Sequence, residues 1–161
     1  MMTGAELRTL RDSLGLSAEQ IAVMAGVKGR TVQRWEVDDW PVPQDVAELL
    51  QRLDTLLERA VLGAVDGLQQ ARERAGALPA ETVMLRYRSA EDLARYRPDM
   101  AELPPAVHGA LVDRVRLAFA RLNVASRIVW MDAAAYEAWR GKRRDSDALR
   151  SQWAAEQIAP Q

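Results

Sequence analysis

The chain has 161 residues, 48% of them hydrophobic, no cysteine and a formal net charge of −1. That length suits one ordinary domain or two small ones, and the apolar content argues against wholesale disorder. Without cysteine, disulfides and thiolate metal sites are excluded. No basic-then-apolar leader pattern is visible and no apolar run approaches the roughly 20 residues of a membrane span, so a cytoplasmic protein without membrane association is expected.

Thr3 and Glu6 are spaced as a capping box, in which each side chain satisfies a backbone amide of the first helical turn. They open a helix with Leu7, Leu10 and Leu14 on one face, and Gly15 ends it. Ser17 and Gln20 repeat the box before a second helix that buries Ile21 and Met24 and closes at Gly26. A third helix runs from near Lys28 through Glu36, with Val32 and Trp35 spaced to face the core. Asp38, Asp39, Pro41 and Pro43 mark a loop, and Pro43 suits the first position of a new helix. From Pro43 to Ala75 no proline intervenes, and Val46, Leu50, Leu53, Leu57, Ala60 and Ala64 recur at the spacing of a helical seam. Leu49, Leu53 and Leu56 are placed to face the N-terminal helices, leaving the remainder for a second domain or another protomer.

Gly76 to Pro79 breaks that helix. Thr82 to Arg88 then alternates as a strand does, with Val83, Leu85 and Tyr87 on one face. Ser89 and Asp92 cap a short helix, and Pro98, Pro104 and Pro105 stiffen a loop. Ala106 to Leu122 is amphipathic, with Leu111, Val115, Phe119 and Leu122 on its apolar stripe. Arg127 to Met131 forms a second short strand. Asp132 caps a helix carrying Tyr136 and Trp139, Gly141 stops it, and a last helix holds Leu149 and Trp153. Two strands are too few for an independent sheet, so pairing with each other is expected, with pairing across a dimer as a further option.

The run Leu16-Ser17-Ala18-Glu19-Gln20-Ile21-Ala22, then Gly26-Val27, then Thr31-Val32-Gln33-Arg34-Trp35-Glu36 resembles the helix-turn-helix of Cro and phage-repressor regulators. The resemblance implies an N-terminal five-helix DNA-binding domain over residues 1–57 whose third helix enters the major groove. By position it places Lys28, Gly29, Arg30, Thr31, Gln33 and Arg34 at the DNA surface, and Ser17 and Ala18 beside the phosphate backbone. It also implies an ion pair between Arg11 and Glu36. Ala18 stands where many members of that family carry glutamine, which removes one polar contact. Gly29 fits a second role, close backbone approach. The side-chain chemistry agrees with the placement: arginine offers a planar fork to O6 and N7 of guanine, and glutamine pairs best with adenine. Arg30 and Arg34 lie one turn apart and share a face, and Ser17 offers a hydroxyl and free amides to phosphate.

Four further stretches extend the likeness: Gln33-Arg34-Trp35-Glu36, the Pro41-Val42-Pro43 lead-in to the long helix, Leu85-Arg86-Tyr87-Arg88, and Ala135-Tyr136-Glu137-Ala138-Trp139. Together they resemble the anti-CRISPR-associated repressors. That implies a mainly α chain with a long connecting helix and an α+β dimerisation domain over residues 58–161. It further implies a homodimer that binds an inverted repeat at its own promoter; some such relatives also bind RNA of their own transcript. Physics favours a dimer as well, because one helix reads few base pairs and two would meet half-sites about 34 Å apart. Leu85, Tyr87, Phe119, Ile128 and Trp130 are candidates for the core or interface of that second domain.

An enzyme is not expected, and neither is a cofactor or a metal. His108 is the only histidine, and behind Pro104 and Pro105 it reads as a surface or capping residue. The adjacent acids Asp38–Asp39 and Glu91–Asp92 suit turns and helix starts better than acid–base chemistry. No glycine-rich phosphate loop is present. Lys142, Arg143 and Arg144 read as a solvated helix end. The alternative to a repressor is a DNA-tethered module whose C-terminal domain binds another protein, such as a toxin or a polymerase.

Overall fold

Side-chain caps decide where the first two helices begin. The Thr3 hydroxyl accepts the Glu6 amide at 3.2 Å and the Glu6 carboxylate accepts the Thr3 amide at 2.7 Å, which starts α1 (Gly4–Ser13). Ser17 and Gln20 exchange the same pair of bonds at 3.1 and 2.8 Å to start α2 (Ala18–Ala25). Gly26 ends α2 with a φ of +66°, a left-handed conformation that a β-carbon disfavours. After this turn comes α3 (Gly29–Glu36), then α4 (Gln44–Ala75), which follows Pro43.

This computed structural model describes residues 1–158, and among them the chain is mainly helical, with eight α-helices and one two-stranded sheet. It divides into two compact units, Met1–Gly63 and the chain from Ala64 onward. In the first, Leu7, Leu14, Ile21, Val32 and Leu50 are fully enclosed, and Trp35, Val46, Leu53 and Leu57 complete the core. The start of α1 packs against the end of α3 so closely that a β-carbon at Gly4 would collide with the Trp35 carbonyl oxygen.

Three short helices precede α4, not the five that a five-helix domain followed by a separate connecting helix would need. The reason is local. Between Gln44 and Ala75 there is no proline, and Gly63 and Gly67, each costing about 1 kcal/mol against alanine, are carried inside the helix. The division between the units falls within α4, at Gly63. The buried stripe of α4 runs through Val46, Leu50, Leu53 and Leu57, whereas Leu49 is half-buried and Leu56 is 41% exposed.

In the second unit β1 (Glu81–Arg86) pairs in parallel with β2 (Ala125–Trp130), from Glu81 opposite Ala125 to Arg86 opposite Trp130. Parallel neighbours need a long crossover. Here it consists of α5 (Ala90–Tyr96), a 3₁₀ turn at Pro98–Met100 and α6 (Pro105–Ala120), which packs on both strands. The remaining helices, α7 (Ala133–Arg140) and α8 (Asp147–Ile158), pack on each other, and α8 covers β1. Aromatic rings join these elements. Tyr87 meets the His108 ring edge-on at 5.1 Å and stacks on Tyr96 at 6.2 Å; Tyr96 meets Tyr136 at 5.7 Å, and Tyr136 meets Trp153 at 5.9 Å. Edge-on and offset ring pairs of this kind add about 0.5–1.5 kcal/mol each beyond the area they bury.

His108 is thus a core residue, 3% exposed, and not the surface or capping group its position behind two prolines predicts. Its place in the first turns of α6 turns it inward onto Tyr87, and the prolines fix only where the helix begins. Burial, reinforced by the guanidinium groups of Arg97 and Arg86, pushes its pKa down to about 4. The folded protein holds this ring neutral while the unfolded chain protonates it near pH 6.5. Stability must then fall as the pH drops from about 6.5 toward 4. Between pH 7 and 5 the loss from this one ring is expected to be roughly 2 kcal/mol. Urea unfolding at the two pH values checks it: His108→Gln should flatten the decline across that window, while Asp99, held below the usual carboxylate range by its bond to Arg97, contributes only at lower pH.

Candidate nucleic-acid interface

The α3 helix has two unlike faces. Val32 is fully buried and Trp35 is 4% exposed, and together they hold the helix on the first core. Lys28, Arg30 and Gln33 are exposed, and Thr31 and Arg34 are half-buried beside them. Lys28, Arg30, Thr31 and Arg34 line an open depression of about 220 Å³. Lys28 stands at the N-cap without a side-chain cap, so no side chain of its own occupies the first-turn amides. Among the described residues, Lys28, Arg30 and Arg34 make no ion pair.

Acidic groups bound this surface. The Glu19 carboxylate of α2 lies where it would come within 3.3 Å of a β-carbon at Gly29. The neighbour of Gly29 is thus the end of a flexible side chain and not a backbone atom. Ser17 is half-buried and its hydroxyl accepts the Gln20 amide, which leaves its proton as the donor the group can offer outward.

The orientation of α3 is fixed from α1. Arg11 donates through Nε to Glu36 Oε1 at 2.5 Å and through Nη2 to Oε2 at 3.5 Å, and its Nη1 donates to the Leu16 carbonyl at 2.8 Å. The hydrogen bond to Glu36 raises the Arg11 pKa further above its ordinary value. One guanidinium therefore ties the last turn of α1, the lead-in to α2 and the last residue of α3.

Sequence reasoning missed Trp40. The Arg34 Cζ lies 4.6 Å from the centroid of its ring, and the indole is 46% exposed. A lone tryptophan between two aspartates and a proline was the available signal, since nothing in a solvated loop needs so large an apolar ring.

The five candidates of the second unit separate by burial. Tyr87 and Phe119 are 4% and 7% exposed and sit in the core of the second unit, the first of the two roles open to them. Leu85 is half-buried. Ile128 and Trp130, on β2, are 43% and 44% exposed, and Trp130 carries the guanidinium groups of Arg86 and Arg88 at 5.0 and 4.8 Å. The basic run after Gly141 is exposed, and Arg143 folds back to donate to the carbonyls of Trp139 and Arg140 at the end of α7. Among the described residues no cluster of histidine and carboxylate groups is placed to hold a metal, and no helix is long and apolar enough to cross a membrane.

The model of a domain family of unknown function, DUF4447, matches residues 1–158. The chain belongs to this family. No curated protein matches it.

The ion pair beneath α3 generates a stability prediction. Glu36 has a side chain 8% exposed, so removing Arg11 leaves its carboxylate buried without that partner, whereas Arg11, 14% exposed, also lies 2.9 Å from the Asp12 carboxylate. Arg11→Met is expected to cost about 3–5 kcal/mol. In urea titrations the double variant Arg11→Met/Glu36→Met should recover a large part of that loss, which a pair of independent residues would not do.

Proposed function

We propose that this protein is a sequence-specific DNA-binding repressor, of the Cro and phage-repressor type, that reads the major groove with α3 and acts as a homodimer on an inverted repeat at its own promoter. The observation that carries the reading is the exposed face of α3, where Lys28, Arg30, Gln33 and Arg34 project without carboxylate partners from a helix anchored by Val32 and Trp35. In this reading Arg30 and Arg34 take guanine, Gln33 takes adenine, and Lys28, Thr31 and Ser17 hold phosphate. The dimer is supported by β2, whose Ile128 and Trp130 stay exposed on a sheet of only two strands.

The test of the groove assignment uses the full chain and a duplex selected from a random pool. Arg34→Ala should weaken binding by about tenfold or more, equivalent to 1–3 kcal/mol for a bidentate base contact. Arg116→Ala, which removes the same charge from α6, should leave it close to wild type. Equal binding by the folded Arg34→Ala protein would refute the assignment.

The assembly is tested separately by light scattering. Ile128→Asp places a charge on the exposed face of β2 and should yield a folded monomer that binds a single half-site weakly. An unchanged dimer would put the interface elsewhere. A wild-type chain that stays monomeric until a second protein is supplied would favour a DNA-tethered partner-binding module instead.

A further inference from the structure

Arginine makes a selective contact only if its fork arrives in the right plane, and a long side chain at the surface ordinarily samples many rotamers. Arg30 is exposed and free to do so. Arg34 is different: it is half-buried, and its guanidinium carbon lies 4.6 Å from the centroid of the Trp40 ring. We propose that Trp40 is a positioning residue that presents Arg34 to one guanine in the major groove. The proposal rests on the reading of α3 given above and names the base and the residue that fix its selectivity.

The chain after α3 is built to hold the indole there. Asp38 adopts a φ of +58°, which turns the backbone back over the end of the helix. The Asp38 amide donates to the Trp35 carbonyl at 3.1 Å, and the Asp39 and Trp40 amides both donate to the carbonyl of Arg34 itself, at 3.0 and 3.3 Å. Asp38 Oδ1 in turn accepts the Gly4 amide at 2.6 Å, which ties the turn to α1. Pro41 then confines Trp40 to extended backbone. The residue that stacks on Arg34 is thus hydrogen-bonded to the same peptide unit that carries it.

A guanidinium held over an aromatic ring can meet it with its face, and its N–H edge then stays open. Among the described residues that edge meets no carboxylate, so it stays available to O6 and N7 of a guanine. An aromatic platform beneath the cation also lowers the rotamer freedom lost when the base contact forms. Trp40 itself needs no contact with DNA for this.

The experiment is a double-mutant cycle on full-length protein, read by equilibrium binding to a duplex selected from a random pool. Trp40→Ala is expected to weaken binding about three- to tenfold, the span of an exposed to partly desolvated cation–π contact. In the Arg34→Ala background the same change should have no further effect. Trp40→Phe should restore most of the affinity. Replacing guanines one at a time with 7-deazaguanine should reveal one position whose N7 matters to wild type and not to Trp40→Ala. If Arg34→Ala weakens binding while Trp40→Ala does not, or if the two losses add, the proposal falls and the reading of α3 survives. If the wild type selects no duplex, or folded Arg34→Ala binds as wild type does, both fall together.

Discussion

The contact between Arg11 and Glu36 is the constraint on which the first unit depends. Glu36 is the last residue of α3, and a carboxylate with a side chain only 8% exposed is unfavourable there unless a cation meets it. Arg11 meets it from the last turn of α1, and its Nη1 donates to the Leu16 carbonyl at 2.8 Å, at the lead-in to α2, and lies 2.9 Å from the Asp12 carboxylate. Packing of Val32 and Trp35 and the close approach of α1 at Gly4 set where α3 sits on the core. A planar guanidinium meeting Glu36 and the Leu16 carbonyl adds a directional constraint, because its fork has one geometry. The exposed face of α3 is consequently held in register with α1 and α2 by a group that itself lies beneath it.

In the second unit the corresponding constraint is topological. Parallel pairing of β1 with β2 requires the chain to travel from one end of the sheet back to the other, and α5, the 3₁₀ turn and α6 perform that crossover. The ring contacts among Tyr87, Tyr96, Tyr136, Trp153 and His108 then bind the crossover to α7 and α8. Two of these rings have hydroxyls that find carboxylates: Tyr96 donates to Glu137 at 2.8 Å and Tyr136 to Asp145 at 2.5 Å. Arg150, itself buried, pairs with Asp145 and Asp147. These hydroxyl and guanidinium groups are paired within the unit. Among the described residues His108 Nδ1 and Arg86 Nε stay buried without a hydrogen-bond partner, and β2 keeps Ile128 and Trp130 exposed.

What was legible in the sequence is what short-range chemistry decides. The capping boxes at Thr3 and Ser17, the stop at Gly26 and the anchors Val32 and Trp35 each depend on residues within one turn of each other, and all are present. The extent of α4 was legible for the same reason, since nothing between Gln44 and Ala75 breaks a helix. Other features depend on partners distant in the chain. The parallel sense of the sheet, the burial of His108 against Tyr87 and the removal of Tyr87 and Phe119 into the core all follow from the crossover, which no periodicity encodes. Leu56 failed as a core residue because a seam in sequence does not say which of two adjacent leucines the neighbouring helices will meet. Of the candidate surface, the residue types on α3 could be read directly. Trp40 could not, because its place beside Arg34 comes from a left-handed residue at Asp38 that folds the loop back, and aspartate adopts that conformation only in context.

Charge distribution explains how a chain of net charge −1 can serve the proposed reading. At physiological salt a charge is felt over about 8 Å, so the field at α3 is set by its neighbours and not by the total. Arg95, Arg97, Arg116, Arg140 and Arg150 of the second unit are each paired with a carboxylate, which cancels them locally. Among the described residues Lys28, Arg30 and Arg34 carry no such partner, yet the Glu19 carboxylate stands beside Gly29 and tempers their field. In the proposed reading this keeps phosphate attraction, which acts on every sequence alike, small. What the surface retains is a short row of donors whose value depends on meeting the right base. A reader built this way gains discrimination at the expense of non-specific affinity, and two copies on one duplex restore the affinity without weakening the discrimination.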